Sequence, residues 1–173
     1  MLVPAPAPLE HELITLFTQF RNPLLRYTYT LGLPLHDGEE VVQEVFLALF
    51  HHLKAGKPRT NLKAWVFRVG HNLALKQRIR NGKLGRLCQS GVDAAMDRPA
   101  REPNPEEHLA GTQYRARLLE IVESLPETER CCLYLRAEGL RYRQIAEVLE
   151  ISLGGVALTL GRALDRLTRV EGG

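Results

Sequence analysis

Residues 142–164, "YRQIAEVLEISLGGVALTLGRAL", have the pattern of two helices joined by a short turn. Ile145 and Leu149 share one face of a first helix, and Ser152 is positioned to cap the N-terminus of a second helix. Val156 would fill the angle between the two helices. This pattern predicts a helix-turn-helix, a unit that in DNA-binding proteins places its second helix in the major groove. A helical hairpin at a subunit interface is the alternative.

The second helix of this pair has an unusual composition for a helix that reads DNA. Its central residues are Ala157, Leu158 and Thr159, and its first basic side chain is Arg162. Arg141 and Arg143 stand instead at the beginning of the first helix, where cations oppose the helix dipole unless a phosphate binds there. We therefore expect this unit to hold the DNA backbone more than its bases.

Charge is distributed unevenly along the chain. The 173 residues carry a formal net charge of only +3, yet residues 45–92 contain ten Lys or Arg and no Asp or Glu. Residues 93–129 then hold nine acids against four arginines. Because a solvated surface normally mixes both signs, the run without carboxylates predicts a surface for a polyanion such as nucleic acid.

Nearly the whole chain has helical periodicity. Before the helix-turn-helix, helices are predicted over 9–20, 23–31, about 37–53, 62–80, 113–124 and 127–138. Residues 87–112 are rich in acids and prolines, which predicts a linker that turns helical from about Pro105. We therefore expect an all-α protein with two small helical domains, residues 1–86 and 113–173, joined by this linker.

Two groups of side chains in the first half are candidates for binding. Glu40, Gln43 and Glu44 share one helix face, with Phe46 and Leu47 nearby, and this acidic stripe suggests a basic protein partner. A solvated face is the alternative.

The second group lies between residues 54 and 80, where basic side chains alternate with Trp65, Phe67, His71 and Asn72. Aromatic rings stack on unpaired bases while Lys and Arg hold the backbone of a strand. The alternative is that Trp65 and Phe67 belong to the core.

Metal, catalytic and membrane interpretations find little support in the sequence. His51, His52 and Cys88 share no ligand spacing, and Cys131–Cys132 is not a CxxC pair, so we expect no metal, cofactor or enzyme active site. Cys132 is predicted to be buried. No apolar run reaches the roughly 20 residues of a membrane span, and the first residues do not have the pattern of a signal peptide. These features predict a cytoplasmic protein without membrane insertion.

The two halves together resemble a known family. "FRNPLLRYTYTLGLPLHDGEEVVQEVFLALF" (20–50), followed by "NLKAWVFRVGHNLALKQRIR" (61–80), is similar to region 2 of the extracytoplasmic-function (ECF) sigma factors. "LLEIVESLPETERCCLYLRAEGLRYRQIAEVLEIS" (118–152) is similar to region 4 of the same family. These proteins are promoter-recognition subunits of bacterial RNA polymerase.

The resemblance implies partners and residue roles. Core RNA polymerase would be bound through its β′ clamp helices and β flap, with the first contact made by Glu40, Gln43, Glu44, Phe46 and Leu47. The −10 promoter element would be melted and held by Lys57, Arg59, Lys63, Trp65, Arg68, His71, Asn72, Lys76, Arg78 and Arg80. The −35 element would be contacted by Arg141, Arg143, Ser152, Ala157, Leu158, Thr159 and Arg162. An anti-sigma factor is a further partner that the family suggests.

This chain departs from the family pattern at two places. Glu150 stands in the inter-helix turn where Gly is usual, and a non-Gly residue in the left-handed conformation costs on the order of 1 kcal/mol. Ala157 and Thr159 stand where the family has basic residues that contact bases. These departures favour an alternative function, a sigma mimic that binds an anti-sigma factor without reading DNA. A helix-turn-helix repressor is a third interpretation, which leaves the first half unexplained.

Overall fold

The computed structural model describes residues 8–85 and 105–171, and all regular structure within these ranges is α-helical. The helices are α1 Pro8–Thr30, α2 Leu35–Lys54, α3 Leu62–Gly85, α4 Pro105–Ser124, α5 Glu127–Ala137, α6 Tyr142–Leu149 and α7 Leu153–Glu171. The prediction of an all-α fold is therefore confirmed. Residues 86–104, most of the predicted linker, lie outside the described residues, and the remainder of that segment begins α4.

The sequence predicts two helices before residue 32, but the structure has one. α1 runs continuously through Pro23, although proline in a helix interior costs about 3 kcal/mol. Phe20, Leu24 and Tyr27 lie on one face of α1, on both sides of the proline, and all three are buried. The predicted break is wrong because burial of this apolar face outweighs the cost of the proline.

The helices α1, α2 and α3 form an N-terminal unit whose axes approach closely at two glycines. A Cβ atom on Gly70 would lie 2.6 Å from Cδ1 of Leu24, and one on Gly38 would lie 2.5 Å from Oγ1 of Thr28. A side chain at either position would force Leu24 or Thr28 to shift, so glycine suits this close approach of α3 and the start of α2 to α1. The packing fixes the orientation of α3, which carries most of the residues expected to contact the −10 element.

The helices α5, α6 and α7 form a C-terminal unit that contains the predicted helix-turn-helix. The axis bends by 100° between α6 and α7, within the range of this motif. The Ser152 hydroxyl accepts a hydrogen bond from the Gly155 N–H at 3.0 Å, which confirms its role as the N-cap of α7. Val156 and Ile145 are fully buried in the angle, and Glu150 adopts the expected left-handed conformation with φ 54°.

The two units pack against each other instead of lying apart. α5 contacts α1 and α6 contacts α3, and one hydrophobic core continues from the first unit into the second. The Tyr134 hydroxyl donates a hydrogen bond to the Pro23 carbonyl at 2.7 Å, and the rings of Tyr27 and Tyr134 are 5.6 Å apart. We call this packing the closed arrangement.

Candidate nucleic-acid interface

The candidate residues of α3 divide between two faces of the helix. One face of α3 begins with the half-buried Trp65 and continues with four exposed side chains at four-residue spacing. These four are Arg68, Asn72, Lys76 and Arg80. We call these five residues the α3 stripe. The opposite face carries Lys63, Phe67, His71 and Arg78, which are half-buried or buried. Of these two groups, the α3 stripe is the more exposed and presents basic and aromatic side chains outward.

The loop before α3 holds Trp65 at the start of this stripe. Asn61 has a φ of 58°, a left-handed conformation that asparagine tolerates better than most residues, and its carbonyl accepts the Trp65 N–H at 3.0 Å. The Trp65 ring lies 4.7 Å from the His52 ring, and His52 Nε2 donates to the Pro58 carbonyl at 2.9 Å. The His52 ring therefore packs against the indole and supports it, a contact that no sequence pattern indicates.

The two remaining basic candidates, Lys57 and Arg59, are exposed in the same loop. Arg59 forms a two-point ion pair with Glu12 of α1, with Nε 2.8 Å from Oε1 and Nη2 3.1 Å from Oε2. This guanidinium holds the pKa of the Glu12 carboxyl below its usual value. Arg59 therefore anchors the loop to α1, whereas Lys57 extends freely enough to contact a ligand.

The inner face of α3 pairs with acidic residues of the C-terminal unit. Arg78 Nη1 donates to Oε2 of Glu127 at 2.6 Å. Lys63 Nζ donates to the Glu138 backbone carbonyl and lies 4.0 Å from its carboxylate. In the closed arrangement the basic side chains of Lys63 and Arg78 are therefore paired with residues of the C-terminal unit.

A buried polar cluster lies where α1, α3 and α5 meet. The Tyr27 hydroxyl and His71 Nδ1 are joined by a hydrogen bond of 2.9 Å. Burial raises the pKa of the Tyr27 phenol well above its usual value, with a smaller contribution from the Cys131 thiol. His71 is only 8% exposed, and burial lowers its pKa below the usual 6.5. This burial corrects the expectation that His71 lies on the DNA-facing surface, because its partner here is Tyr27.

Replacing His71 by glutamine is expected to weaken the pH dependence of stability. Because the folded-state pKa is lowered, the unfolded chain binds the proton first as pH falls below about 6.5, and the free energy of unfolding decreases. Glutamine has no such proton and can still hydrogen-bond Tyr27. Urea unfolding of both proteins at pH 7.5 and pH 5.5 measures the difference. An equal loss of stability in both proteins would contradict the assignment.

The candidate polymerase-binding residues divide in a similar way. Glu40, Gln43 and Glu44 are exposed on α2, and Leu47 is 59% exposed beside them. Phe46 is only 7% exposed, and its ring packs edge-on against another ring 4.8 Å away. This corrects the expectation that Phe46 contacts a partner directly, because the Phe46 side chain is buried beneath the exposed residues of α2 and packs against another ring.

A groove between α1 and α2 extends this acidic face. Its volume is about 180 Å3, and it is lined by Phe17, Arg21, Leu25, Glu39, Val42 and Gln43. Phe17, the ring that packs on Phe46, is 39% exposed. Reasoning from the sequence missed the α1 residues, because their periodicity indicates a core face and not a groove shared with α2.

The outer face of the helix-turn-helix is open to solvent. Its exposed candidates are Arg141, Arg143, Ser152, Ala157, Leu158 and Arg162, and Thr159 is half-buried. The Gln144 side chain accepts the Arg141 N–H at 2.8 Å and so helps to fix the first turn of α6. The Ser152 hydroxyl caps α7. The cationic groups at the start of α6 are Arg141 and Arg143.

Within the described ranges, no three His, Cys, Asp or Glu side chains are grouped so that they could hold a metal ion. Burial raises the pKa of the Cys131 thiol to about 12 and that of Cys132 to about 11, so both stay protonated near neutral pH. None of the described helices is by itself long and apolar enough to cross a membrane, and α6 and α7 meet that criterion only as a bent pair.

Comparison with known proteins identifies the class to which this arrangement belongs. The model of Sigma-70 region 2 matches residues 16–83, and that of Sigma-70 region 4 matches residues 115–167. The chain belongs to the ECF-type RNA polymerase sigma factors.

Individual relatives agree with this assignment. The RNA polymerase sigma factor CnrH of Cupriavidus metallidurans is 30% identical over 144 residues, which cover 80% of this chain and 75% of CnrH. The ECF RNA polymerase sigma factor SigE of Mycolicibacterium smegmatis is 31% identical over 154 residues. That match covers 88% of this chain but only 58% of the length of SigE.

Two solved structures share the fold. CnrH in complex with the cytosolic domain of CnrY superposes with a TM-score of 0.59 and 23% identity, covering 94% of this chain and 89% of that one. The sigma factor RpoE in complex with the anti-sigma factor NepR from Bartonella quintana gives a TM-score of 0.70 and 17% identity, covering 93% and 97%.

Proposed function

We propose that this protein binds core RNA polymerase and directs it to promoters, with each unit contacting a different promoter element. The acidic face of α2 binds the β′ clamp helices, the α3 stripe holds the opened −10 strand, and α6 with α7 contacts the −35 duplex. The observation that carries the proposal is the α3 stripe, a continuous basic and aromatic face on a rigid helix.

The α3 stripe suits a single strand better than a duplex. The half-buried Trp65 indole offers an aromatic ring on which an unpaired base can stack, a contact worth about 1 to 3 kcal/mol per base. Arg68, Lys76 and Arg80 supply cations along the helix for the phosphates, and Asn72 adds an amide between them. This arrangement holds any strand by its backbone and leaves sequence preference to the stacked base.

The C-terminal unit suits the backbone of a duplex. Arg141 and Arg143 lie at the N-terminus of α6, where both the helix dipole and their charge favour a phosphate. The centre of α7 offers Leu158, which is 57% exposed, and an apolar side chain can contact the methyl group of thymine. Contacts of this kind give a modest sequence preference without hydrogen bonds from charged side chains to the bases.

Replacing Arg141 by Ser and Arg143 by Glu is expected to reduce the salt dependence of duplex binding. Each phosphate contact contributes about 0.9 to the slope of log K against log salt concentration, so the slope should fall by up to about 2. Fluorescence anisotropy of the full chain with a promoter duplex, repeated at several salt concentrations, measures it. The matched control is Arg115→Ser with Arg117→Glu on α4. An unchanged slope in the first variant would show that these arginines do not meet DNA.

The protein partners follow from the family and from the α2 face. The polymerase β′ clamp helices and β flap are the proposed contacts for α2 and for the C-terminal unit. The solved complexes of CnrH with CnrY and of RpoE with NepR support an anti-sigma factor as a further partner.

In vitro transcription with purified core polymerase on a library of genomic fragments tests the proposed function. Promoter-specific starts that depend on this protein are the expected result. A second candidate function, a sigma mimic that binds an anti-sigma factor without reading DNA, is favoured by the uncharged centre of α7. Absence of specific starts, together with binding to an anti-sigma factor, would support the mimic.

A further inference from the structure

We propose that α6 and a single DNA strand compete for the same end of the α3 stripe, so that the closed arrangement admits duplex DNA but excludes the opened strand. This inference rests on the function proposed above, which assigns strand binding to α3 and duplex binding to α6 and α7. It adds an order of events. The C-terminal unit engages duplex DNA first, and the strand binds only after the two units separate.

The covered end of the stripe is the one that begins with the indole. Residues of both units line an open cleft of about 130 Å3, namely Thr60, Asn61, Ala64, Trp65, Arg68 and Glu147. The amide of Gln144 lies next to Glu147 on α6, with its Nε2 3.4 Å from Asn61 Oδ1. An acid and an amide of α6 therefore face the surface on which a strand would place a phosphate and a base.

Two polar pairs add to the shared core and the Tyr134 hydrogen bond that hold the units in this position. The Glu127 carboxylate accepts a hydrogen bond from the Arg78 guanidinium at 2.6 Å. The Glu138 backbone carbonyl accepts a hydrogen bond from Lys63 Nζ, and the Glu138 carboxylate lies 4.0 Å from the same nitrogen. The Glu127 carboxylate takes the place on Arg78 that a phosphate would take. The N-terminal unit is thus partly neutralised by the acids of the C-terminal unit.

The duplex-binding side of the C-terminal unit remains open in the same arrangement. Arg141 and Arg143 at the start of α6 and Arg162 on α7 are exposed, whereas Gln144 of α6 faces Asn61, just before α3. Because opposite sides of α6 meet α3 and the solvent, the closed chain retains its contacts for a duplex.

The test removes the two acids without altering any proposed DNA contact. In the full chain, Glu127→Gln with Glu138→Gln weakens both pairs and raises the fraction of open molecules. Because the apparent affinity for the strand scales with the open fraction, we expect about three- to tenfold tighter binding of a labelled mixed-sequence single strand of about 12 nucleotides, within the usual site size. Affinity for a mixed-sequence duplex should change less than about twofold, since that face is open in both states.

A matched control separates opening from general electrostatics. Glu120→Gln with Glu123→Gln makes the same charge change on exposed positions of α4. We expect no gain in strand binding from the control, and a larger radius of gyration by small-angle X-ray scattering only for the Glu127 and Glu138 variant.

Three outcomes would overturn the inference. An equal gain in the control and the test variant would make the effect one of net charge. Measurable strand binding that is the same in the test variant and the parent protein would remove the competition but leave the proposed function intact. An absence of strand binding in every variant, with the radius of gyration increased, would overturn both the inference and the assignment of the strand to α3.

Discussion

Replacing Glu40 and Glu44 together by lysine is expected to weaken binding to core RNA polymerase by a factor of about 100 or more. Both carboxylates are exposed on α2, and like charges placed opposite each other in an interface cost several kcal/mol. About 2.8 kcal/mol already corresponds to a hundredfold change in affinity. Titration of labelled protein with purified core enzyme measures the loss directly.

The control for this experiment is a double charge reversal at another place. Glu120→Lys with Glu123→Lys changes the net charge equally on α4, away from the acidic face of α2. Circular dichroism should show unchanged helix content in both variants, because all four side chains project into solvent. Normal polymerase binding by the Glu40 and Glu44 variant would show that the acidic face of α2 is only a solvated surface.

Replacing Phe67 by alanine is expected to lower the free energy of unfolding by about 3 to 5 kcal/mol. Phe67 is fully buried, and its ring packs edge-on against Tyr27 at 5.5 Å. Removing it leaves a cavity between α1 and α3, since the ring fills the space beside Tyr27. Urea unfolding followed by circular dichroism measures the change.

An exposed aromatic residue provides the matched control for this substitution. Tyr29 lies on the same helix as Tyr27 but is 51% exposed, so Tyr29→Ala should change stability by about 0.5 kcal/mol or less. A loss below about 1 kcal/mol for Phe67→Ala would contradict a shared core between α1 and α3.

The local features of the helix-turn-helix could be predicted from the sequence. A serine before a helical pattern specifies an N-cap, and the structure has Ser152 in that role. The inter-helix turn requires a left-handed residue whatever its identity, so Glu150 could be assigned that conformation even without glycine. Both predictions depend on a few neighbouring residues, which is the range over which sequence patterns are informative.

The division of α3 into two faces could not be predicted in the same way. Lys63, His71 and Arg78 are polar, so reasoning from the sequence groups them with the exposed basic side chains of the α3 stripe. Their partners are distant in sequence, 75 residues away for Lys63 and 44 for His71. Helical periodicity identifies a face but not the element that covers it.

The prediction of a helix break at Pro23 failed for a related reason. The cost of an interior proline is local and can be read from the sequence. The compensation is tertiary, because it comes from the burial of apolar residues on both sides of Pro23.

The ring contact between Tyr27 and Tyr134 gives separation of the two units a thermal signature. Separation would expose these rings and the apolar core around them, and newly exposed apolar surface raises the heat capacity. The free energy that favours the closed arrangement must therefore curve with temperature and pass through a maximum. Warming and cooling away from that maximum would both loosen the contact, so access to the α3 stripe would follow the temperature of the cell.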